Sequence, residues 1–119
     1  MKKNIQLKEE IEKYKDNVII VEGKNDIASL RALGFHKVYA IHQNKISVQE
    51  SIESITEKLI KSDRACILTD LDKSGRKFHA KVKQILQEKG VKTSPSLRKL
   101  LIKSGISHVE GLYSFIENN

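Results

Sequence analysis

The chain has no tryptophan, one proline and one cysteine among its 119 residues. A single thiol, Cys66, excludes an internal disulfide and any zinc site built on cysteines. It sits in the apolar run Ala65-Cys66-Ile67-Leu68, which reads as a buried strand, so a small core residue is expected there rather than a reactive thiol. Aromatics are sparse, three tyrosines and three phenylalanines, and most fall at core-like positions. That leaves no stacking platform for splayed bases. No apolar stretch nears the length needed to cross a bilayer, and Met1-Lys2-Lys3-Asn4 leads into no signal-peptide core, so the expectation is a cytoplasmic protein without a membrane partner. Internal repeats, low-complexity tracts and linkers are also missing, which predicts one α/β domain over 1–119.

What the chain does have is positive charge. Its formal net charge is +7, and the excess is one-sided. Residues 1–63 hold 11 Lys/Arg against 10 Asp/Glu, whereas residues 64–119 hold 11 against 5. Such a balance suits a polyanionic partner, though a soluble basic surface also accounts for it.

Periodicity organises the rest. Val18-Ile19-Ile20-Val21 is a wholly apolar, β-branched run, the pattern of a strand covered on both faces. Lys37–Ile41 and Ala65–Thr69 read as two further strands, and Gly90–Thr93 as a short fourth. Between them, helical spacing appears over 5–15, 25–34, 47–61 and 75–89, and Val48, Ile52, Ile55 and Leu59 form the cleanest stripe. Ser94 and Pro95 mark another helix start, as cap and first helical residue. Ser107-His108-Val109-Glu110 fits a capping box ahead of a last helix. Strands alternating with helices imply βαβ units and a parallel sheet.

In open α/β sheets, sites form beyond the carboxyl ends of the strands. Glu22 directly follows the first strand, and Asp70 and Asp72 directly follow the third. If those strands are neighbours, three carboxylates converge at one edge and repel unless a cation neutralises them. Mg²⁺ or Mn²⁺ suits an all-oxygen set of this kind, with the Asp-x-Asp as ligands and Glu22 handling protons or a second ion. Gly23 and Gly75 let backbone approach a phosphate, at the N-termini of the helices that follow. On spacing alone, helix caps at Asp70 or Asp72 and ion pairs from Glu22 to Lys24 or Lys73 stay open.

Two segments carry a resemblance. Val18-Ile19-Ile20-Val21-Glu22-Gly23-Lys24-Asn25-Asp26 and Ile67-Leu68-Thr69-Asp70-Leu71-Asp72-Lys73-Ser74-Gly75 resemble the two signature motifs of the Toprim domain, in the same order and separation. That domain is shared by type IA and type II topoisomerases, bacterial-type primases, OLD-family nucleases and the 5S rRNA maturation ribonucleases. The Glu-Gly-Lys-x-Asp form is closest to the 5S rRNA maturases and to small stand-alone Toprim proteins, and His108-Val109-Glu110-Gly111-Leu112 is similar to the close of the small archaeal ones.

The resemblance covers about 17–93, with a helical extension over 94–119. It implies a three-layer, Rossmann-like fold with a central, mainly parallel sheet of about four strands. It also implies Glu22 as general acid/base, Asp70 and Asp72 as Mg²⁺ ligands, and Gly23 and Gly75 as loop formers. Asp26 matches a recurrent acid of that subset, while an acid in a helix's first turn is also ordinary helix chemistry.

Lys24 and Lys73 lie nearest the acids in sequence, and Arg76 and Lys77 follow, so these four are the expected phosphate contacts. His42 and Asn44 follow the second strand at the same edge, within reach of substrate or as plain loop residues. The expected function is metal-dependent phosphodiester chemistry on RNA or DNA. Hydrolysis needs the fewest extra parts, because strand rejoining requires a tyrosine nucleophile with a DNA gate and priming requires template-binding modules. The alternative is a non-catalytic nucleic-acid-binding module inside a larger complex. A phosphatase using an Asp-x-Asp nucleophile carries that motif after its first strand, not its third.

Overall fold

The computed structural model describes residues 2–42, 45–69, 71 and 76–117, and of residues 2–4, 76 and 77 the backbone only. Among the described residues six α-helices, α1 (Lys2–Ile11), α2 (Lys24–Ala32), α3 (Val48–Thr56), α4 (Arg76–Glu88), α5 (Ser96–Lys103) and α6 (Leu112–Glu117), surround four strands. The strands are β1 (Val18–Val21), β2 (Val38–Ala40), β3 (Arg64–Ile67) and β4 (Lys92–Thr93). They form one sheet in the order β2-β1-β3-β4, every pair parallel. This is the α/β architecture with a parallel central sheet that the alternation of elements predicts.

The apolar run of β1 is fully buried because both faces of the sheet are covered. Ile19 and Val21 join Cys66 and Leu68 in a core packed by α1, α2, α5 and α6. Val18 and Ile20 join Ala65 and Ile67 in a second core packed by α3 and α4. Alternate residues of each strand therefore feed opposite layers. Cys66 is buried, as expected, and burial pushes its thiol pKa up, with the Asn17 amide opposing.

Right-handed crossovers follow from this order. The connection from β1 to β2 runs through α2 on one face, whereas β2 to β3 and β3 to β4 run through α3 and α4 on the other. Neighbouring strands β1 and β3 thus send their chains to opposite faces. That divergence opens a crevice at their carboxyl ends, the place where ligands bind in sheets of this type.

Several element ends differ from the sequence reading for local reasons. β4 is only Lys92–Thr93, because Gly90, at φ +77°, and Val91 are used in closing α4, with the Val91 N–H donating to the Leu86 carbonyl at 2.9 Å. Ser94 does not cap α5. Its N–H donates to the Ala65 carbonyl (3.0 Å), so it continues the sheet and Pro95 becomes the cap residue. α3 stops at Thr56 rather than near 61, since Asp63 folds back to accept from the Ile60 N–H (2.9 Å) and from Lys37 (3.0 Å). Its start matches expectation: Ser47 Oγ accepts from the Glu50 N–H at 3.1 Å.

Candidate functional site

β1 ends at Val21, so Glu22 is the first residue beyond the strand, half-buried at the mouth of the crevice. The β1–β3 register pairs Ile20 with Ile67, and the Leu68 N–H donates to the Ile20 carbonyl at 2.8 Å. Two residues further along that register, Glu22 comes level with Thr69. On the other side the His42 N–H donates to the Glu22 carbonyl at 2.8 Å. The ends of β1, β2 and β3 therefore meet around Glu22. His42 is exposed, and its ring stands edge-on to Phe78 with centroids 5.0 Å apart.

A cleft of about 540 Å³ opens at this point. One side is built by the turn Glu22-Gly23-Lys24-Asn25-Asp26, with His42, Leu68 and Leu71. The other is built by Ser107, His108, Val109 and Glu110. Of the predicted site residues, Glu22, Gly23, Lys24, Asp26 and His42 are brought together here. Asn44, Asp70, Asp72, Lys73 and Gly75 lie outside the described residues, as do the side chains of Arg76 and Lys77 at the start of α4. Among the described residues, no group of three His, Cys, Asp or Glu side chains is arranged to hold a metal ion.

Gly23 is the cap residue of α2, with extended backbone at φ −140° and ψ −179° that any residue adopts. A Cβ added there meets nothing within 4 Å among the described residues, which therefore do not demand a glycine. What the missing side chain leaves is open space in the cleft wall, where a ligand can approach the backbone.

Asp26 reaches back to accept from the Gly23 N–H at 3.3 Å, one half of a capping box whose other half a glycine cannot supply. The ordinary helix role is thus realised, within the cleft. Burial holds its carboxyl above the usual range, and the charge of Glu110 adds to this, while the Gly23 and Glu22 backbone bonds and His108 pull the other way.

The capping box read from Ser107 to Glu110 is not formed. His108 is the cap residue of the 3₁₀ turn Val109–Gly111, with no side-chain cap bond, and Ser107 Oγ lies 2.9 Å from His108 Nδ1. Glu110 faces the cleft with Asp26 instead. Docking of this segment on α2 explains the change. Val109 and Leu112 are buried in the core beside Leu30, and Ser29 Oγ accepts from the Tyr113 N–H at 3.1 Å. Sequence reasoning missed Ser107, His108 and Glu110 as cleft residues. The signal available was the likeness of this closing segment to small archaeal proteins.

Thr69, which precedes Asp70, is 0% exposed, and its hydroxyl has no hydrogen-bond partner among the described residues. A buried hydroxyl in that state costs about 1–3 kcal/mol. Its position at the end of β3, level with Glu22, puts that cost at the crevice.

Comparison with known proteins agrees with this placement. A family model for the Toprim domain matches residues 17–99. A UPF0292 protein of Methanosarcina barkeri is 32% identical over 104 residues, covering 83% of this chain and 68% of that protein. A UPF0292 protein of Pyrococcus horikoshii is 34% identical over 102 residues, covering 83% and 74%. Among solved structures, a putative protein from Aquifex aeolicus superposes with a TM-score of 0.72 at 26% identity, covering 89% of this chain and 94% of that one. The sheet order, the glutamate at the end of β1 and the family match converge on one assignment: the chain belongs to the Toprim domain family, with the UPF0292 proteins as relatives.

Proposed function

We propose that this chain is a Mg²⁺-dependent Toprim enzyme that hydrolyses phosphodiester bonds in RNA or DNA, its residues 1–119 forming one catalytic domain. The observation that carries the reading is the position of Glu22: first residue past the central strand, at the crevice between β1 and β3, in a cleft beside a glycine whose side-chain space is open. Toprim domains bind a divalent metal and are associated with nucleic acid.

The residues fit such an ion. The carboxylates that follow these strands offer oxygen donors, and the buried Thr69 hydroxyl, just past β3, has no partner among the described residues. In this reading Asp70 and Asp72 would hold Mg²⁺, with Mn²⁺ able to substitute, and Glu22 would serve as proton carrier and third ligand. The bound ion would neutralise the clustered carboxylates and the phosphate. Glu22 accepts the proton of an attacking water, the P–O bond breaks, and the leaving oxygen receives a proton. Lys24, Lys73, Arg76 and Lys77 contact phosphates, with the backbone at Gly23 and Gly75 close to them. Asp26 braces the Glu22-Gly23 turn, and His42 flanks Glu22 from β2.

The test is a Mg²⁺ and Mn²⁺ cleavage panel on structured RNA, single strands, duplexes and supercoiled plasmid. Glu22→Gln is expected to lower the rate by about 10²- to 10⁴-fold. Asp70→Asn is expected to abolish the metal-dependent cleavage. Equal cleavage by wild type and both variants sinks the proposal. Salt-sensitive binding without turnover on any substrate turns the assignment to a non-catalytic binding module.

A further inference from the structure

β2 is an outer strand whose one sheet neighbour is β1. The Ile19 N–H donates to the Lys37 carbonyl at 2.8 Å, and the Ile41 N–H donates to the Val21 carbonyl at 2.9 Å. In a parallel ladder alternate residues bond inward. Residues 37, 39 and 41 therefore serve β1, and the N–H and C=O of Val38 and Ala40 face away from the sheet. No side chain or backbone group among the described residues pairs with them. Yet Val38 and Ala40 are each only 3% exposed. They lie on the floor of a groove of about 250 Å³, because α2 overhangs the edge from one face and α3 from the other.

Peptide groups shielded in this way are nearly always paired. The groove offers a row of backbone donors and acceptors between apolar walls, Ile27 from α2 and Ile55 from α3, with Ile46 beside them and 42% exposed. That is the shape an extended segment fills when it adds a strand to a sheet edge. The rims carry Arg31 and Lys58, and no acidic side chain among the described residues lines the groove. Neither cation forms an ion pair among the described residues, Lys58 lying 5.5 Å from the Tyr39 ring centroid. An occupant therefore gains by carrying carboxylates. A second copy of this chain, paired β2 to β2 about a two-fold axis, brings Arg31 and Lys58 against their own kind instead. A nucleic-acid strand meets the two cations, and its phosphates can accept from the two N–H groups, but they carry no donor for the two carbonyls.

We propose that the β2 edge is a docking groove for an extended, acidic segment of a partner protein, which pairs with Val38 and Ala40 as a fifth strand. The proposal is independent of the metal chemistry.

The probe is an acetylated heptapeptide alternating Asp or Glu with Val or Thr, followed by NMR with amide hydrogen exchange on the full chain. Saturating peptide is expected to slow exchange at the Val38 and Ala40 N–H by at least about tenfold. The same peptide N-methylated at alternate amides is expected not to bind. Arg31→Glu combined with Lys58→Glu, both exposed positions, is expected to weaken binding by about tenfold or more while leaving the spectrum folded. Binding that neither protects those two amides nor responds to the charge reversal overturns the proposal. So does protection that appears without peptide alongside concentration-dependent dimers in sedimentation, which assigns the groove to a second copy. Protection of the same amides by a single-stranded oligonucleotide overturns it in favour of nucleic acid.

Discussion

Thr69→Val should make the metal-free protein more stable. Threonine and valine share a β-branched shape and strand preference, so the exchange leaves backbone and rotamer largely as they are. What changes is one hydroxyl, 0% exposed and without a partner among the described residues, replaced by a methyl. Removing an unsatisfied buried hydroxyl is worth about 1–3 kcal/mol. The matching methyl adds roughly another 0.8 kcal/mol of burial at most. Urea unfolding in EDTA is therefore expected to show a gain of about 1–3 kcal/mol at unchanged m-value. Titrating Mg²⁺ then separates packing from function. If the hydroxyl serves the ion's surroundings, wild type gains more stability per Mg²⁺ added than the valine variant does, through mass action. A loss of 1 kcal/mol or more in EDTA refutes the reasoning, since it means the hydroxyl is satisfied in solution. Equal Mg²⁺ increments for both proteins leave the hydroxyl no part in the site.

Other perturbations probe the opposite wall of the cleft. Leu112 is buried between α2 and the sheet, and Leu112→Ala is expected to cost about 2–5 kcal/mol by denaturant unfolding; a cost below 1 kcal/mol means the C-terminal segment is not docked. Asp26 gives a pH test. Its carboxyl is raised in the folded chain by burial and by Glu110, so its contribution to stability is fully present below the ordinary value of 3.8 and is lost as pH rises through the raised folded value. Asp26→Asn should therefore match wild type below pH 3.8 and exceed it in stability above that window, and Glu110→Gln should reproduce part of the gain; pH-dependent thermal melts with identical curves for all three refute this. At α3, Ser47→Ala removes the bond to the Glu50 N–H and should lower stability by about 1 kcal/mol, read by the same melts.

Much of this architecture is written in local pattern. The β-branched run 18–21 declares a doubly covered strand, and the stripe from Val48 to Ile55 faces its core as the spacing predicts. Glu22 could be placed at the site because strand ends in parallel sheets carry the chemistry, a rule that needs only the order of elements. Where reading failed, distant residues decide. Ser107 to Glu110 satisfies a capping pattern on its own, yet the apolar contacts of Val109 and Leu112 with α2 pull it into a different turn. The bond from Tyr113 to Ser29 spans 84 positions and leaves no periodic trace. Ser94 likewise reads as a cap until β3 supplies a carbonyl for its N–H.

The docking of the C-terminal turn on α2 also sets an order of events. Glu22 and its turn come from the end of β1 and the start of α2, but Glu110 and His108 come from a segment made much later. A growing chain that has not yet released residues past 106 carries half a cleft, with the Leu30 side of α2 still uncovered. Closing it means bringing together residues far apart in the chain, among the slower steps available to a small domain. The Glu110 side of the cleft thus cannot exist on an incomplete chain, and any substrate contact made there doubles as a check that synthesis has passed that point.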